Sequence, residues 1–200
     1  MLADEHRGRA AEAAVVPATD LIGSRTADPA PLSLREVFPN RAGIRVPGAA
    51  GPYTIAMTHI DNECGTATVG AVGDLLAEHG CNQVVRAGMT APYGGYQVTL
   101  GLFNLADAGG ADEVDSQLRR LVETGDGSFA PMTTAGPPGE EPPTAQVGWH
   151  AEGHYLLYCL ITGARGELIA GDDPAAARIT AELVDTYLGE SVLGARASRA

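Results

Sequence analysis

The segment from Tyr53 to Val122 constrains the fold more than any other part of this 200-residue chain. It predicts a strand, a helix, two strands and a second helix, because each stretch is apolar at the period of its own element. Gly, Pro or Asn marks most of the joints between them. That order is the first part of a split β-α-β unit. We therefore expect an α+β domain with a ferredoxin-like core and an antiparallel-dominated sheet.

Further elements are predicted on both sides of this segment. A short helix over 34–38 ends at Pro39, and a short edge strand is expected within 41–46. After the second helix, apolar runs predict an additional pair of strands over 145–151 and 155–162. Asp173 and Pro174 predict the start of a C-terminal helix that reaches Leu188. We expect the helices 66–79, 111–123 and 174–188 to cover mainly one face of the sheet.

Composition divides the chain into a tail and one domain. Residues 1–31 have no sustained apolar stripe and predict a disordered tail or stalk, whereas residues 32–195 predict a single α+β domain. The loop 125–143 contains five prolines and four glycines. Phe129 and Met132 are expected to hold its first part on the domain, which would leave 135–142 mobile.

The charge of the chain excludes some classes of partner. Its net charge is -12, from 25 acidic and 13 basic residues, so phosphate backbones and anionic lipid surfaces would repel it. The longest apolar run, 155–161, is too short to span a bilayer, and no apolar signal segment follows Met1. We expect no nucleic acid partner and no direct membrane insertion. All basic residues are Arg, which together with abundant Ala, Gly, Asp and Val indicates a GC-rich, actinobacterial source.

The three cysteines leave two alternatives open. They are either buried free thiols or one disulfide with one thiol left over, and a disulfide would indicate an oxidising compartment. Cys64 and Cys81 bracket the first predicted helix, which at about 14 residues would hold their Cα atoms ~20 Å apart. A disulfide needs a much shorter separation. A bridge is therefore expected to involve Cys159 or a broken helix.

One cluster of residues has the composition of a metal site. His150, Glu152 and His154 would point to the same face of a single strand, and two imidazoles with a carboxylate can bind zinc or iron. If the chain turns at Gly153, however, the alternation ends there and the histidines form a solvated hairpin tip. The sequence predicts no other cofactor.

Cys64 is a second catalytic candidate. It lies just before a predicted helix, where the helix dipole lowers the pKa of a thiol, and His59 is the nearest candidate base in the sequence. The alternative is a buried structural thiol.

A ligand site is predicted on the sheet itself. Arg86 is a charged residue within an apolar strand, and it either faces solvent on an open sheet face or pairs with a carboxylate such as Asp61 or Glu63. Gln97 and Thr99 alternate with apolar residues on the next strand. We therefore expect Arg86, Gln97 and Thr99 to form a ligand-binding face.

Four blocks of sequence carry a family resemblance: LREVFP at 34–39, GCNQVVRA at 80–87, VTLGLFNL at 98–105, and VGWH at 147–150 with HYLLYC at 154–159. They are similar to a family of actinobacterial proteins that have one transmembrane helix followed by an extracytoplasmic domain. The likeness covers roughly residues 32–190 and implies a location at the cell envelope, with residues 1–31 as the stalk. No activity is assigned to that family, so the resemblance implies no functional residues. This chain departs from the pattern by showing no transmembrane segment, which leaves a cytoplasmic location as the alternative.

Two functions follow from the sequence. The first is a non-catalytic, extracytoplasmic binding or sensory domain whose partner is an unidentified small molecule or an envelope protein. The second is a small hydrolase-like enzyme, either metal-dependent through His150, Glu152 and His154 or thiol-dependent through Cys64.

Overall fold

The computed structural model describes residues 21–132, 145–165, 167 and 169–199. The strands, in chain order, are β1 (Gly43–Ile44), β2 (Tyr53–Asp61), β3 (Thr68–Gly70), β4 (Gln83–Thr90), β5 (Gln97–Asn104), β6 (Gly127–Phe129), β7 (Gln146–Glu152) and β8 (Tyr155–Thr162). The α-helices are α1 (Leu34–Val37), α2 (Val72–Glu78), α3 (Ala108–Thr124), α4 (Pro174–Thr180) and α5 (Gly194–Ala197). The segment Ala181–Leu193 between α4 and α5 is wound as a π-helix, and the three together are called the C-terminal helix.

Six strands form one fully antiparallel sheet in the order β1-β2-β4-β5-β8-β7. The α+β class and the antiparallel-dominated sheet are therefore confirmed. The strand order differs from a ferredoxin-like split unit, because β2 and β4 are direct neighbours with no strand between them. A disulfide joins the two ends of the connection that contains α2. β4 therefore pairs directly with β2, and no strand lies between them.

Helices cover both faces of the sheet, so the prediction of mainly one covered face is wrong. The C-terminal helix and α1 pack on one face, whereas α2 and α3 pack on the other with the small β3–β6 sheet. The physical reason is visible in β8, whose eight residues are all buried. A strand that is apolar on both sides must be covered on both sides.

The predicted boundary of the tail at residue 31 is also wrong. Residues 21–33, called here the N-terminal strap, lie against the domain, and Ile22 is only 1% exposed. The carbonyl oxygens of Ile22 and Gly23 accept hydrogen bonds from the backbone of His154 and Ala108, at 2.8 and 2.9 Å. Residues 1–20 and the predicted mobile segment 135–142 lie outside the described residues.

The first predicted helix is broken into three pieces. A 3-10 turn over Cys64–Ala67 precedes β3, and only Val72–Glu78 is α-helical. Gly70 has a positive φ of 63° and ends β3, whose three residues pair with β6. The break lets Cys64 and Cys81 form a disulfide, with their Cα atoms 6.2 Å apart. Cys159 is the free cysteine, and it is buried.

The remaining predicted elements lie close to their expected positions. Asp173 caps the C-terminal helix by accepting a hydrogen bond from the Ala176 amide. Phe129 is buried and stacks on Tyr158 with ring centroids 4.2 Å apart, which confirms that it holds the loop. Among the described residues, no helix is long and apolar enough to cross a bilayer.

Candidate functional site

A row of side chains crosses the middle of the sheet on the face covered by the β3–β6 sheet. The register places His59 of β2 opposite Arg86 of β4, Arg86 opposite Gly101 of β5, and Gly101 opposite Tyr158 of β8. Residues directly opposite one another in neighbouring strands share a face. These four residues are called here the Arg86 row.

Gly101 makes the row possible by having no side chain. A Cβ atom at this position would lie 2.8 Å from Cε1 of Tyr158 and 2.9 Å from Cβ of Arg86. Both distances are shorter than a carbon–carbon contact allows. The space above Gly101 is therefore filled from both sides, by the stem of Arg86 and the ring of Tyr158.

The guanidinium of Arg86 is buried without a carboxylate partner. Arg86 is 9% exposed, and it donates hydrogen bonds to the carbonyl oxygens of Thr66 (3.1 Å) and Ala130 (3.4 Å). It forms no ion pair with any residue that the structure describes. Because carbonyl groups carry no formal charge, its positive charge is not neutralised, and burying a charge in this way is costly.

The predicted ion pair between Arg86 and Asp61 or Glu63 does not form. The carboxylate of Asp61 accepts hydrogen bonds from the Glu63 amide (3.0 Å) and the Thr66 hydroxyl (3.2 Å) instead. These bonds hold the Asp61 side chain at the 3-10 turn. The pKa of Asp61 is below its usual value, chiefly because of the bond from the Glu63 amide.

Three buried polar atoms of the row have no hydrogen-bond partner among the described residues. They are Nε of Arg86, the hydroxyl oxygen of Tyr158 and Nδ1 of His59, and Asn104 holds the fourth such side-chain atom. A buried polar atom without a partner costs about 1–3 kcal/mol, so such atoms are rare in folded proteins. Their concentration in one row makes this row the candidate site.

The Tyr158 hydroxyl is a neutral hydrogen-bond donor. Burial raises its pKa above the usual value for tyrosine, and the nearby Arg86 guanidinium acts in the opposite direction without cancelling that effect. The row therefore combines a permanent positive charge with a neutral hydroxyl.

The row runs from an accessible edge of the sheet into the core. β1 pairs with β2 only at Tyr53 and Thr54, so within the described residues the outer edge of β2 at His59 has no strand partner. The side chain of His59 is 43% exposed, whereas Tyr158 is fully buried. His59 is therefore the solvent-exposed end of the row and Tyr158 is its buried end.

The other two predicted ligand residues, Gln97 and Thr99, lie on the same face of the sheet as Arg86, but their side chains make hydrogen bonds within the protein. The Thr99 hydroxyl accepts a hydrogen bond from the Met132 amide at 2.7 Å. Gln97 donates to the carbonyl of Gly95 (3.1 Å) and to the hydroxyl of Thr90 (3.3 Å). The face predicted to be open is thus crossed by the chain at Met132, and Thr99 fixes that crossing.

The structure does not assemble the predicted metal site. His150 and Glu152 line a surface cleft of about 460 Å³ beside the C-terminal helix. His154 is fully buried elsewhere, because the chain turns at Gly153 with a φ of 56°. Its ring nitrogens contact the Leu105 carbonyl oxygen (3.0 Å) and Asp28 (3.4 Å). Across the described ranges, no three His, Cys, Asp or Glu side chains are arranged to hold a metal ion.

His154 belongs instead to a buried network that joins the two ends of the described chain. The Asp28 carboxylate accepts hydrogen bonds from Nε of Arg196 (2.6 Å) and from the Tyr155 hydroxyl (2.7 Å). Arg196 also donates to Glu36 at 2.8 Å. We call Asp28, Arg196, Tyr155, His154 and Glu36 the terminal clamp. Asp28 and Glu36 share the guanidinium of Arg196, so each charged group of the clamp has an oppositely charged partner and the clamp stabilises the fold.

The proposed role of Cys64 as a nucleophile is wrong, because its sulfur is bonded to Cys81. Neither sulfur of this disulfide titrates, so no thiolate forms at the 3-10 turn. Cys159, the free cysteine, is buried in the core, and burial raises the pKa of its thiol to about 11. Its thiol is therefore protonated and unreactive at neutral pH.

The sequence pointed to Arg86 as a ligand residue and to His59 only as a possible base for Cys64, and it did not point to Tyr158. A charge inside an apolar strand is visible in a single sequence, whereas strand register is set by distant contacts. The sequence did contain one indication of the row, because Gly101 is the one residue without a side chain in the strand segment Val98–Phe103. A glycine in a strand interior often marks a close approach of other groups.

The fold and the row together define an α+β domain whose sheet carries a buried guanidinium without an ion-pair partner among the described residues. Comparisons with protein-family models, with curated proteins and with solved structures gave no match.

Proposed function

We propose that this chain is a non-catalytic binding or sensory domain of the cell envelope and that it binds its ligand at the Arg86 row. The observation that carries the proposal is the buried guanidinium of Arg86, which has no carboxylate partner among the described residues. A buried charge of this kind is stabilised when a ligand supplies the missing partner.

The residues of the row are suited to binding. Arg86 and Tyr158 offer hydrogen-bond donors that no described residue uses, and His59 lies at the accessible end. The enzyme alternative depended on two residue sets that the structure uses differently. His154 contacts Asp28 within the terminal clamp, and Cys64 is bonded to Cys81.

The disulfide between Cys64 and Cys81 supports a location outside the cytoplasm. Disulfides form and persist in oxidising compartments and are rare where thiols are kept reduced. The resemblance to actinobacterial envelope proteins supports the same location. The ligand is accordingly a small molecule or an envelope component that is present outside the membrane.

A ligand screen by thermal unfolding tests the proposed function. The wild-type domain is scanned with a panel of carboxylic acids, phosphate esters, amines and sugars, and we expect at least one class to raise the unfolding temperature. The same ligand should give no such rise in Arg86→Met. Arg119→Met is the matched control, because Arg119 is exposed on α3 and should keep the full response.

Two results would contradict the proposal. One is a panel that leaves the unfolding temperature unchanged throughout. The other is a ligand whose stabilising effect is the same in Arg86→Met as in wild type. Recovery of the ligand in chemically altered form after incubation would contradict the non-catalytic part of the proposal.

A further inference from the structure

The geometry points to a carboxylate group as the part of the ligand that the Arg86 row binds, with Arg86 and Tyr158 as its donors. This inference rests on the proposed function and gives it a ligand class.

The first argument is the balance of charge. Arg86 contributes one positive charge, and the one described carboxylate seen to contact the row, that of Asp61, lies 4.0 Å from Nε2 of His59 and forms no ion pair with Arg86. A carboxylate contributes one negative charge and completes the pair. A phosphate dianion would leave a surplus negative charge in a protein whose net charge is already -12. Charge balance therefore favours a monoanion.

The second argument is the set of free donors. An arginine side chain has five N–H donors in a planar fork, and two carbonyl oxygens, those of Thr66 and Ala130, accept from Arg86. The unused donors include Nε–H, the side of the guanidinium that binds a planar carboxylate in two-point fashion. The Tyr158 hydroxyl lies beside the Arg86 guanidinium, and its O–H donates to no described residue, so it adds a donor for the same group.

The third argument concerns position. Gly101 brings the stem of Arg86 and the ring of Tyr158 over the same residue. His59 stands opposite Arg86 on the accessible side, with Nδ1 buried and unpartnered within the described chain. A carboxylate beside the guanidinium would give Nε of Arg86 the partner that no described residue supplies. An ordered water is the competing occupant, and it would satisfy the donors without neutralising the charge.

Acetate is the probe that tests the inference. The domain is labelled with arginine that carries ¹⁵N at Nε, and the Arg86 signal is identified by its absence in Arg86→Lys. We expect this signal to shift saturably with sodium acetate and not with sodium chloride at equal ionic strength. Inorganic phosphate should bind more weakly than acetate. A water in the site gives no saturable response to acetate and would overturn the inference.

Tyr158→Phe provides the matched variant. The Tyr158 ring stacks on Phe103 and Phe129 through contacts that do not involve the hydroxyl, so removal of the hydroxyl should leave the fold and the ring stacking intact. Loss of one donor to a charged group should weaken acetate binding about tenfold or more. Unchanged affinity in Tyr158→Phe would exclude Tyr158 from the site and overturn the assignment. His59→Ala applies the same test to the exposed end of the Arg86 row, and we expect it to weaken acetate binding less than Tyr158→Phe does.

The outcomes separate this inference from the proposed function. If the thermal screen finds a sugar or amine whose effect depends on Arg86, the binding function stands and the carboxylate assignment fails. The same conclusion follows if phosphate binds more tightly than acetate. A free acid and the carboxylate of an acidic side chain share this chemistry, and titration with N-acetylglutamate amide beside acetate shows which one the site prefers.

Discussion

Gly101 is the single residue on which the Arg86 row depends most, because both neighbours occupy the place of its side chain. We predict that Gly101→Ala lowers the free energy of unfolding by about 1–3 kcal/mol, since the added methyl group would force Tyr158 and Arg86 apart. It should also weaken any ligand that depends on Arg86. Urea denaturation and the thermal screen measure the two effects. Gly171→Ala is the control, because no atom lies within 4 Å of a Cβ atom placed there.

Asp28 should make the stability of the protein sensitive to acid. Burial acts to raise the pKa of Asp28, but hydrogen bonds from Arg196, Tyr155 and His154 outweigh it and hold the pKa below its usual value. The folded state therefore binds this proton less readily than the unfolded state. The resulting stabilisation is complete above the ordinary pKa of aspartate and is lost as the pH falls through the lower pKa of the folded state.

We predict that Asp28→Asn lowers the free energy of unfolding at neutral pH by about 3 kcal/mol, because it leaves Arg196 without its main partner. The fall in stability towards acid pH should become shallower than in wild type. Urea denaturation at a series of pH values measures both. Asp112→Asn, at an exposed position on α3, should change neither quantity. An equally steep acid dependence in Asp28→Asn would show that the clamp is not its source.

At the scale of elements, the disulfide joins the segment that follows β2 to the segment that precedes β4. We predict that Cys64→Ser/Cys81→Ser lowers the free energy of unfolding by about 3 kcal/mol, because the bridge closes a loop between cysteines 17 residues apart. Reductant should destabilise wild type by the same amount and leave the double variant unchanged. Titration of the unreduced, denatured protein should find one thiol, that of Cys159. Three thiols would contradict the disulfide and the location that it supports.

The elements that the sequence predicted well are those with a strong local pattern. The sequence predicted both ends of β8 correctly, because the apolar run of this strand lies between Gly153 and Gly163. The first helix was wrong because Thr68 and Val69 are β-branched and pair with β6, a contact with residues about sixty positions away. The prediction of the site was limited for the same reason. Arg86 can be picked out from its own strand segment, whereas its neighbours in the row are set by the register of four strands.

At the scale of the whole molecule, the N-terminal strap is part of the domain. We predict that a chain starting at residue 32 is less stable by more than about 3 kcal/mol than one starting at residue 21, because it lacks buried Ile22 and the carboxylate of the terminal clamp. Denaturant unfolding of the two truncated chains measures the difference. Since both lack residues 1–20, that segment does not affect the comparison. Equal stability would show that the strap is dispensable.

The terminal clamp also determines how the domain responds to mechanical force. Asp28 and Arg196 are 168 positions apart, yet their side chains are bonded at 2.6 and 2.8 Å. Tension applied between the strap and the C-terminal helix therefore acts first on this ion pair and on the strap's backbone bonds to His154 and Ala108. Stretching would detach the strap before it separates the strands on which the Arg86 row is built.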